Sequence, residues 1–436
     1  MVRMPSRRPI GDRRQHPPKP ARRIATAAAL AVLLLAGLPA SIGGASTAGA
    51  ALPATNGDLL FRDVQGGDSE LYRVAADGTG MRDVSRAPAA QDLDPSWNPT
   101  GTLIAYARKT TGSQVPPDIW VMFADGSGRT RLTTDSVPER QPAWSPDGSH
   151  IAYARAPGGN FGGFHIWVMG AGGSFPHQVT NPWNQASDTD PAWSPDGTRI
   201  AFVRSKPDAF PELYVVNADG TGLQRLTTNG WIEGHPAWSP DGTRIAFDRC
   251  CLDGQSDIYT IDVATRIETD LTNTLTTDEF DPAWSPDGTL IAFTAFVLGD
   301  GNKDLYVMAA DGSSVARLTS DPAAELAPAW QPEVACTIAG TWRRDNLIGT
   351  PGPDVICGNG AADVIAGGGG NDVIYGGGGS DQIDAGDGDD VVLGGGGYDK
   401  ITGGTGFDWI NGGLKNDTCS AEPDGGVMTS CETIAG

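Results

Sequence analysis

Six tryptophans, Trp97, Trp144, Trp193, Trp238, Trp284 and Trp330, recur at spacings of 47, 49, 45, 46 and 46 residues. A period of this length means one supersecondary unit copied along the chain, and such units bury their apolar faces only against one another. The flanks are copied as well. Pro-Ala-Trp-Ser-Pro-Asp-Gly stands at 142–148, 191–197, 236–242 and 282–288, followed two residues later by Ile-Ala-Phe or Ile-Ala-Tyr. Within 191–202, Pro195 presets the φ that a type I turn needs. Gly197 supplies the left-handed residue that must follow, and Ile200-Ala201-Phe202 reads as the returning strand. Glu212 to Val216 alternates and ends in the turn signal Ala218-Asp219-Gly220, and Gln224 to Thr227 completes four strands. Third strands begin equivalently at Glu70, Asp118, His165, Asp257 and Asp304. Four strands per unit predict an all-β chain with a six-bladed β-propeller over 51–333. The first unit lacks a tryptophan strand, and the last has one without the turn glycine. Trp330 is therefore expected to pair with the strand at 58–62, closing the ring and leaving no sheet edge.

The Trp-Ser-Pro-Asp-Gly repeats resemble the TolB-type propeller, the WD40-like PD40 repeat, over residues 56–333. Trp97 departs slightly, being followed by Asn98-Pro99-Thr100-Gly101. The resemblance implies a propeller whose first strands line a central channel. Three residues before the proline of each tryptophan strand stand Asp92, Glu139, Asp188, Glu233, Glu279 and Glu325, all acidic. Directly before it stand Asp94, Gln141, Asp190, His235, Asp281 and Ala327. The six acids are expected to form a carboxylate ring at one channel mouth, where convergent charge would focus field on a cation or basic peptide. The alternative is that each acid caps a turn.

From residue 340 the period changes to nine. Aspartates at 345, 354, 363, 372, 381, 390, 399, 408 and 417 follow without a slip, and two residues after each comes an apolar side chain or Cys, from Leu347 to Cys419. Glycines precede the Asp: Gly367, Gly368 and Gly370 before Asp372; Gly376, Gly377 and Gly379 before Asp381; Gly394, Gly395 and Gly397 before Asp399; Gly403, Gly404 and Gly406 before Asp408. Glycine lets backbone carbonyls turn toward a cation, and Asp adds a hard charged oxygen suited to Ca²⁺. The pattern Gly-Gly-x-Gly-x-Asp-x-apolar-x resembles the RTX, or haemolysin-type, calcium-binding repeat. It implies a parallel β-roll over 334–436 with Ca²⁺ held at Asp354, Asp363, Asp372, Asp381, Asp390, Asp399 and Asp408 and at the glycines named. Two nonapeptides make one coil, so ions are expected to bridge 372 with 390, 381 with 399, and 390 with 408. Asp345 and Asp417 have irregular flanks and read as caps. Residues 334–436 carry fifteen acidic and four basic side chains, so this segment should stay disordered until cations bind.

The first fifty residues read as an export signal: a basic stretch to Arg22-Arg23, an apolar run from Ile24 to Leu38, and small residues with Ala48-Gly49-Ala50 as the cleavage site. No second apolar run of spanning length follows, so the mature chain is expected to have no stable membrane span. Residues 1–50 hold eight Lys/Arg and one Asp, which leaves 23 basic against 52 acidic side chains of the chain's 31 and 53, a net −29 that excludes nucleic acid as partner. Six cysteines suit an oxidising compartment. Bridges Cys336–Cys357 and Cys419–Cys431 are expected, with Cys250 and Cys251 free or externally paired.

These features favour a secreted, extracellular calcium-binding protein, with retention at the cell surface left open, whose propeller binds a protein or glycan. No G-x-S-x-G elbow and no paired histidine ligands occur. His150, His165 and His177 are scattered, and His235 alone lies beside the expected mouth. A hydrolase or lyase using mouth carboxylates stays as the alternative.

Overall fold

The computed structural model describes residues 56–434 apart from 66, 88, 159–162, 182–184, 251–254, 300, 333–334 and 422–424. The expected export segment and Cys251 lie outside the described residues. Every described element is a strand, and no helix is long and apolar enough to cross a membrane.

Each 46-residue unit folds as its turns dictate. Ser187–Trp193, Arg199–Lys206, Ala209–Asn217 and Gln224–Arg225 form one antiparallel four-stranded sheet in chain order. The Ser-Pro-Asp-Gly turn closes by Gly197 N–H donating to Ser194 O at 2.9 Å, with Gly197 at φ 69°. The Ser194 hydroxyl donates to Asp196 at 2.6 Å, so the carboxylate locks the turn and its pKa falls to about 2. Three further four-stranded sheets repeat this order. An eight-stranded sheet joins two such sets through a single parallel bridge, Ser69 to Gln91. The closing pair is the expected one: Leu59 lies opposite Trp330 and Leu60 opposite Ala329. The tryptophan rings pack in the apolar clusters between sheets, and in three of the six copies the indole N–H reaches back to the preceding sheet. Trp193 donates to Ala143 O, Trp238 to Ala192 O and Trp97 to Ala329 O, at 3.2–3.3 Å.

One irregularity recurs in every tryptophan strand. Pairing slips between Thr189 and Ala192, where two residues face one gap on the partner, and it slips likewise in the other copies. The residue before the proline, Asp94, Gln141, Asp190, His235, Asp281 or Ala327, takes φ between 46° and 55°. This is a β-bulge, and it shifts the in–out alternation of the strand by one residue.

The nine-residue repeats wind into stacked coils. Odd coil halves give one six-stranded parallel sheet, including Val355–Cys357, Val373–Gly378, Val391–Gly396 and Asp408–Asn411. The alternate halves give the other, including Val364–Gly369, Gln382–Asp387 and Lys400–Thr405. Neighbours pair eighteen residues apart, as Val373 with Val391 and Ile383 with Ile401. Ile356, Ile365, Ile374, Ile383, Val392, Ile401, Ile410 and Cys419 fill the thin interior. Cys336–Cys357 and Cys419–Cys431 are bridged, as expected. The change of period near residue 334 separates two repeats, yet one apolar cluster spans both besides the roll's own interior. Val373, Val391 and Trp409 of the roll share one apolar cluster with Leu103, Phe123, Trp144 and Met169 of the propeller.

Candidate calcium sites and the propeller channel

In the roll, each repeat Asp is set by the coil it starts. One carboxylate oxygen, Oδ1, accepts the backbone N–H of the Asp eighteen residues earlier. The Oδ1 atoms of Asp363, Asp372, Asp381, Asp390, Asp399, Asp408 and Asp417 all do this, at 2.7–3.1 Å. The second oxygen, Oδ2, of these same seven residues is buried and has no hydrogen-bond partner, with the residues only 0–2 % exposed. A buried polar atom left unmatched is costly, and a buried carboxylate more so. Burial pushes Asp390 up to about 8, Asp408 to about 7, and Asp372 and Asp399 to about 6.

The glycines frame that oxygen. A Cβ on Gly376 would stand 2.5 Å from Gly394 O and 2.8 Å from Asp381 Oδ2, so only glycine keeps the space between a carbonyl and a carboxylate open.

The propeller treats its acids differently. Asp92, Glu139, Asp188, Glu233, Glu279 and Glu325 are 0–3 % exposed. They are buried rather than arranged around an open mouth, which corrects the expected ring. Each lies before the bulge and is buried between sheets: Glu233 and Glu325 accept Leu213 N–H at 3.2 Å and Leu305 N–H at 3.3 Å on the preceding sheet. Four face an arginine on the next strand. Asp188 takes a two-pronged contact from Arg204 at 2.6 and 2.7 Å, Glu233 meets Arg249 at 2.8 Å, Glu139 meets Arg155 at 3.4 Å and Asp92 meets Arg108 at 3.6 Å. Glu279 faces Ala295 and accepts the Thr274 hydroxyl at 3.0 Å. Glu325 accepts the Thr319 hydroxyl. Burial raises Glu279 to about 8 and Asp92, Glu139 and Glu325 to about 7.

The bulge residues, two positions later, are the ones that line the channel. Asp94, Gln141, Asp190, His235, Asp281 and Ala327, with their prolines and Arg62, enclose a cavity of about 270 Å³. Within it, His235 Nδ1 lies 2.6 Å from Asp248 Oδ1 and Nε2 lies 3.2 Å from Asp281 Oδ1. Burial alone would lower the imidazole's pKa, yet Asp281 and Asp248 hold it well above the ordinary histidine value. The two carboxylates on either side favour the charged form of the ring. The ligand-capable atoms of His235, Asp248 and Asp281 fall within 4.8 Å of one another, close enough to hold a metal ion instead. Asp94 rises to about 6, chiefly by burial and then by Asp190 across the channel. His165 bonds Gln178 on the outer part of its sheet and contributes nothing here.

Comparison with known proteins decides the two repeats. Residues 142–249 and 231–334 match the TolB beta propeller domain model. Residues 340–374, 358–392, 366–401 and 393–423 match the RTX calcium-binding nonapeptide repeat model. The chain carries TolB-type propeller repeats followed by RTX calcium-binding repeats. Among solved structures, TolB from Acinetobacter baumannii superposes with a TM-score of 0.54 at 23% identity, covering 64% of this chain and 67% of that one. Hydrazine synthase from Kuenenia stuttgartiensis gives 0.55 at 14% identity, covering 65% of this chain and 48% of the other. A chain of a nidogen/laminin complex gives 0.50 at 11%, covering 63% and 99%. At these identities the likeness is one of fold. No curated protein matches the chain.

The RTX residues present fit calcium: an unmatched hard oxygen on each coil, facing a carbonyl across a glycine. Calcium would supply the positive charge that the chain itself does not provide. The fit also redraws the expected ligand set at both ends. Asp354 Oδ2 already accepts Thr350 N–H at 2.6 Å, and its Oδ1 accepts the Thr337 hydroxyl at 3.2 Å. Burial opposes ionisation there, but these hydrogen bonds keep the carboxyl below its ordinary pKa. Asp345 is satisfied likewise by Thr341 N–H at 2.6 Å. Asp417, expected as a cap, instead has the free Oδ2 of a site residue, beside Gly412. The sequence signal was present in Thr341 and Thr350, which stand four residues before their aspartates, where Gly368 and Gly377 precede Asp372 and Asp381.

Proposed function

We propose that this is a secreted, calcium-dependent binding protein. The RTX roll holds Ca²⁺ through Asp363, Asp372, Asp381, Asp390, Asp399, Asp408 and Asp417 and the glycines before them. The propeller, read as six blades by dividing the eight-stranded sheet at its single bridge, presents its channel to an extracellular protein or glycan. The observation that carries the calcium assignment is the set of seven buried carboxylate oxygens with no partner in the chain. The two bridges and the apolar run at 24–38 support export from the cytosol. For the propeller, Asp94, Asp190 and Asp281 around one cavity favour a cationic group, either a basic side chain of the partner or a metal ion taken by His235, Asp248 and Asp281. The six acids considered for mouth chemistry are buried against arginine and threonine, which supports binding over hydrolysis or lyase chemistry.

Calorimetric titration of the chain from residue 51 with Ca²⁺ tests the first part. Several equivalents should bind, with loss of binding in Asp381→Asn/Asp399→Asn, and the absence of calcium-specific heat defeats it. For the channel, retention of a partner from culture medium should be lost in Asp190→Asn/Asp281→Asn. Equal retention by the two proteins removes the channel from the binding surface.

A further inference from the structure

The two sheets of the roll differ on their outer faces. On the sheet beginning at Val355 the outward row reads Val355, Val373, Val391, Trp409, Val427, and the next outward row contains Tyr375 and Leu393. On the other sheet the matching positions are Val364, Gln382, Lys400 and Thr418, then Ala366, Asp384, Thr402 and Ser420. The apolar face lies against the propeller. Trp409, 1 % exposed, meets Phe123 edge-on with ring centres 6.3 Å apart, and Phe407 stands 5.6 Å from Trp409. Leu103, Trp144, Met169 and Ala171 complete the same cluster. Asn411 Nδ2 donates to Ser127 Oγ at 3.3 Å on a propeller turn. The approach is close: a Cβ on Gly172 would come within 2.6 Å of the Phe407 ring.

We infer that calcium occupancy of the roll controls the cover over the docked blades of the propeller, those built from Leu103–Thr110, Asp118–Phe123 and His165–Gly170. The inference rests on the calcium reading above. Seven unmatched buried carboxylates cannot remain dry without a counter-cation, so the emptied roll unwinds. Its apolar face exists only as a regular parallel sheet, because Val373, Val391 and Trp409 align only when the coils stack. Unwinding therefore uncovers Phe123, Trp144 and Met169, and the strands beneath them open more often. Calcium bound on the roll is in this way felt by the propeller. The device couples the propeller's integrity to arrival in a calcium-rich compartment.

Hydrogen-exchange mass spectrometry on the chain from residue 51 tests this, with calcium binding measured by calorimetry on the same samples. Replacing calcium by EGTA should cut protection of Asp118–Phe123 by roughly tenfold or more, while Arg244–Cys250, on a sheet away from the seam, changes little. Gly172→Leu keeps every roll residue and pushes on the Phe407 ring from the propeller side. This variant should still bind calcium at the turns before Asp372, Asp381 and Asp399, away from Phe407, and show low protection of Asp118–Phe123 in calcium as well as in EGTA. Phe407→Ala should lose part of the calcium-dependent protection from the other side of the seam. Unchanged protection of Asp118–Phe123 while calcium binds overturns the coupling and leaves the calcium sites standing. Absence of calcium binding overturns both.

Discussion

Propeller and roll bury aspartate and glutamate to the same depth, but four of the six propeller acids meet an arginine of their own sheet, and among the described residues the roll acids meet none. Asp188 and Glu233 meet Arg204 and Arg249 across one strand pair, so their counter-charge is covalently part of the fold. Asp372, Asp390 and Asp408 stack above one another with a backbone N–H on one oxygen and nothing on the other. The sheet in the first case is 46 residues of varied side chains, with room for an arginine on the facing strand. The coil in the second is two nine-residue repeats, each a glycine-rich turn and a short strand, and the inward side chains between its sheets are Ile, Val, Ala and Cys rather than a long cation. A short repeat thus exports its charge problem to the solvent's ions, whereas a long repeat resolves it internally. Ionic conditions should accordingly govern the roll and hardly touch the propeller's own pairs.

The largest expected effect is on the roll. Chelation of calcium should abolish its strand signal in circular dichroism and the exchange protection of 364–405, and restored calcium should return both. A roll equally ordered in EGTA would erase the contrast. Next comes the loss of an internal cation. Arg204→Ala leaves Asp188 buried without its partner and should cost about 3–5 kcal/mol in denaturant unfolding, with or without calcium. A variant rescued by calcium would mean that the propeller acids also recruit ions. Smaller is the effect of pH on the blades that lack an arginine. Glu279, raised to about 8, and Glu325, raised to about 7, bind their protons more tightly folded than unfolded. Propeller stability should therefore fall as pH rises from the ordinary glutamate range, about 4.5, through about 8. Glu279→Gln should flatten that slope when unfolding midpoints are compared at acid and alkaline pH. The smallest effect separates the two ends of the roll: Asp354→Asn should leave calcium stoichiometry unchanged, and Asp417→Asn should lower it, in the same titration.

Much of this was legible in the order of residues. The tryptophan period, the Ser-Pro-Asp-Gly turns and the pairing of Trp330 with the first strand follow from signals a few residues long. So do the eighteen-residue stacking of the aspartates and the bridges Cys336–Cys357 and Cys419–Cys431. The carboxylate ring was misplaced for a definite reason. Counting along an unbroken strand puts Asp188 and Asp190 on the same side, but the bulge at Asp190 inserts a left-handed residue and sends the two apart. No residue preference announces φ near 50° before a proline, since that conformation is disfavoured for Asp, Gln, His and Ala alike. The outer rows of the roll did carry a signal, valines and Trp409 on alternate half-coils only, but their partner surface could not be named from the chain.

The sequence by itself determined two repeat lengths, their turn chemistry, the apolar stripe inside each coil and the excess of unpaired aspartate, because each is a relation among neighbours or among identical copies. Only the tertiary structure decided that Asp94, Asp190, His235 and Asp281 share a channel while Asp92, Glu139, Asp188, Glu233, Glu279 and Glu325 do not. It likewise decided that Asp417 rather than Asp354 keeps an open oxygen, and that the roll lies on Phe123 and Trp144. Those outcomes depend on ring closure, on coil ends and on contacts between residues hundreds of positions apart, where the free energy of packing, and no local preference, selects the arrangement.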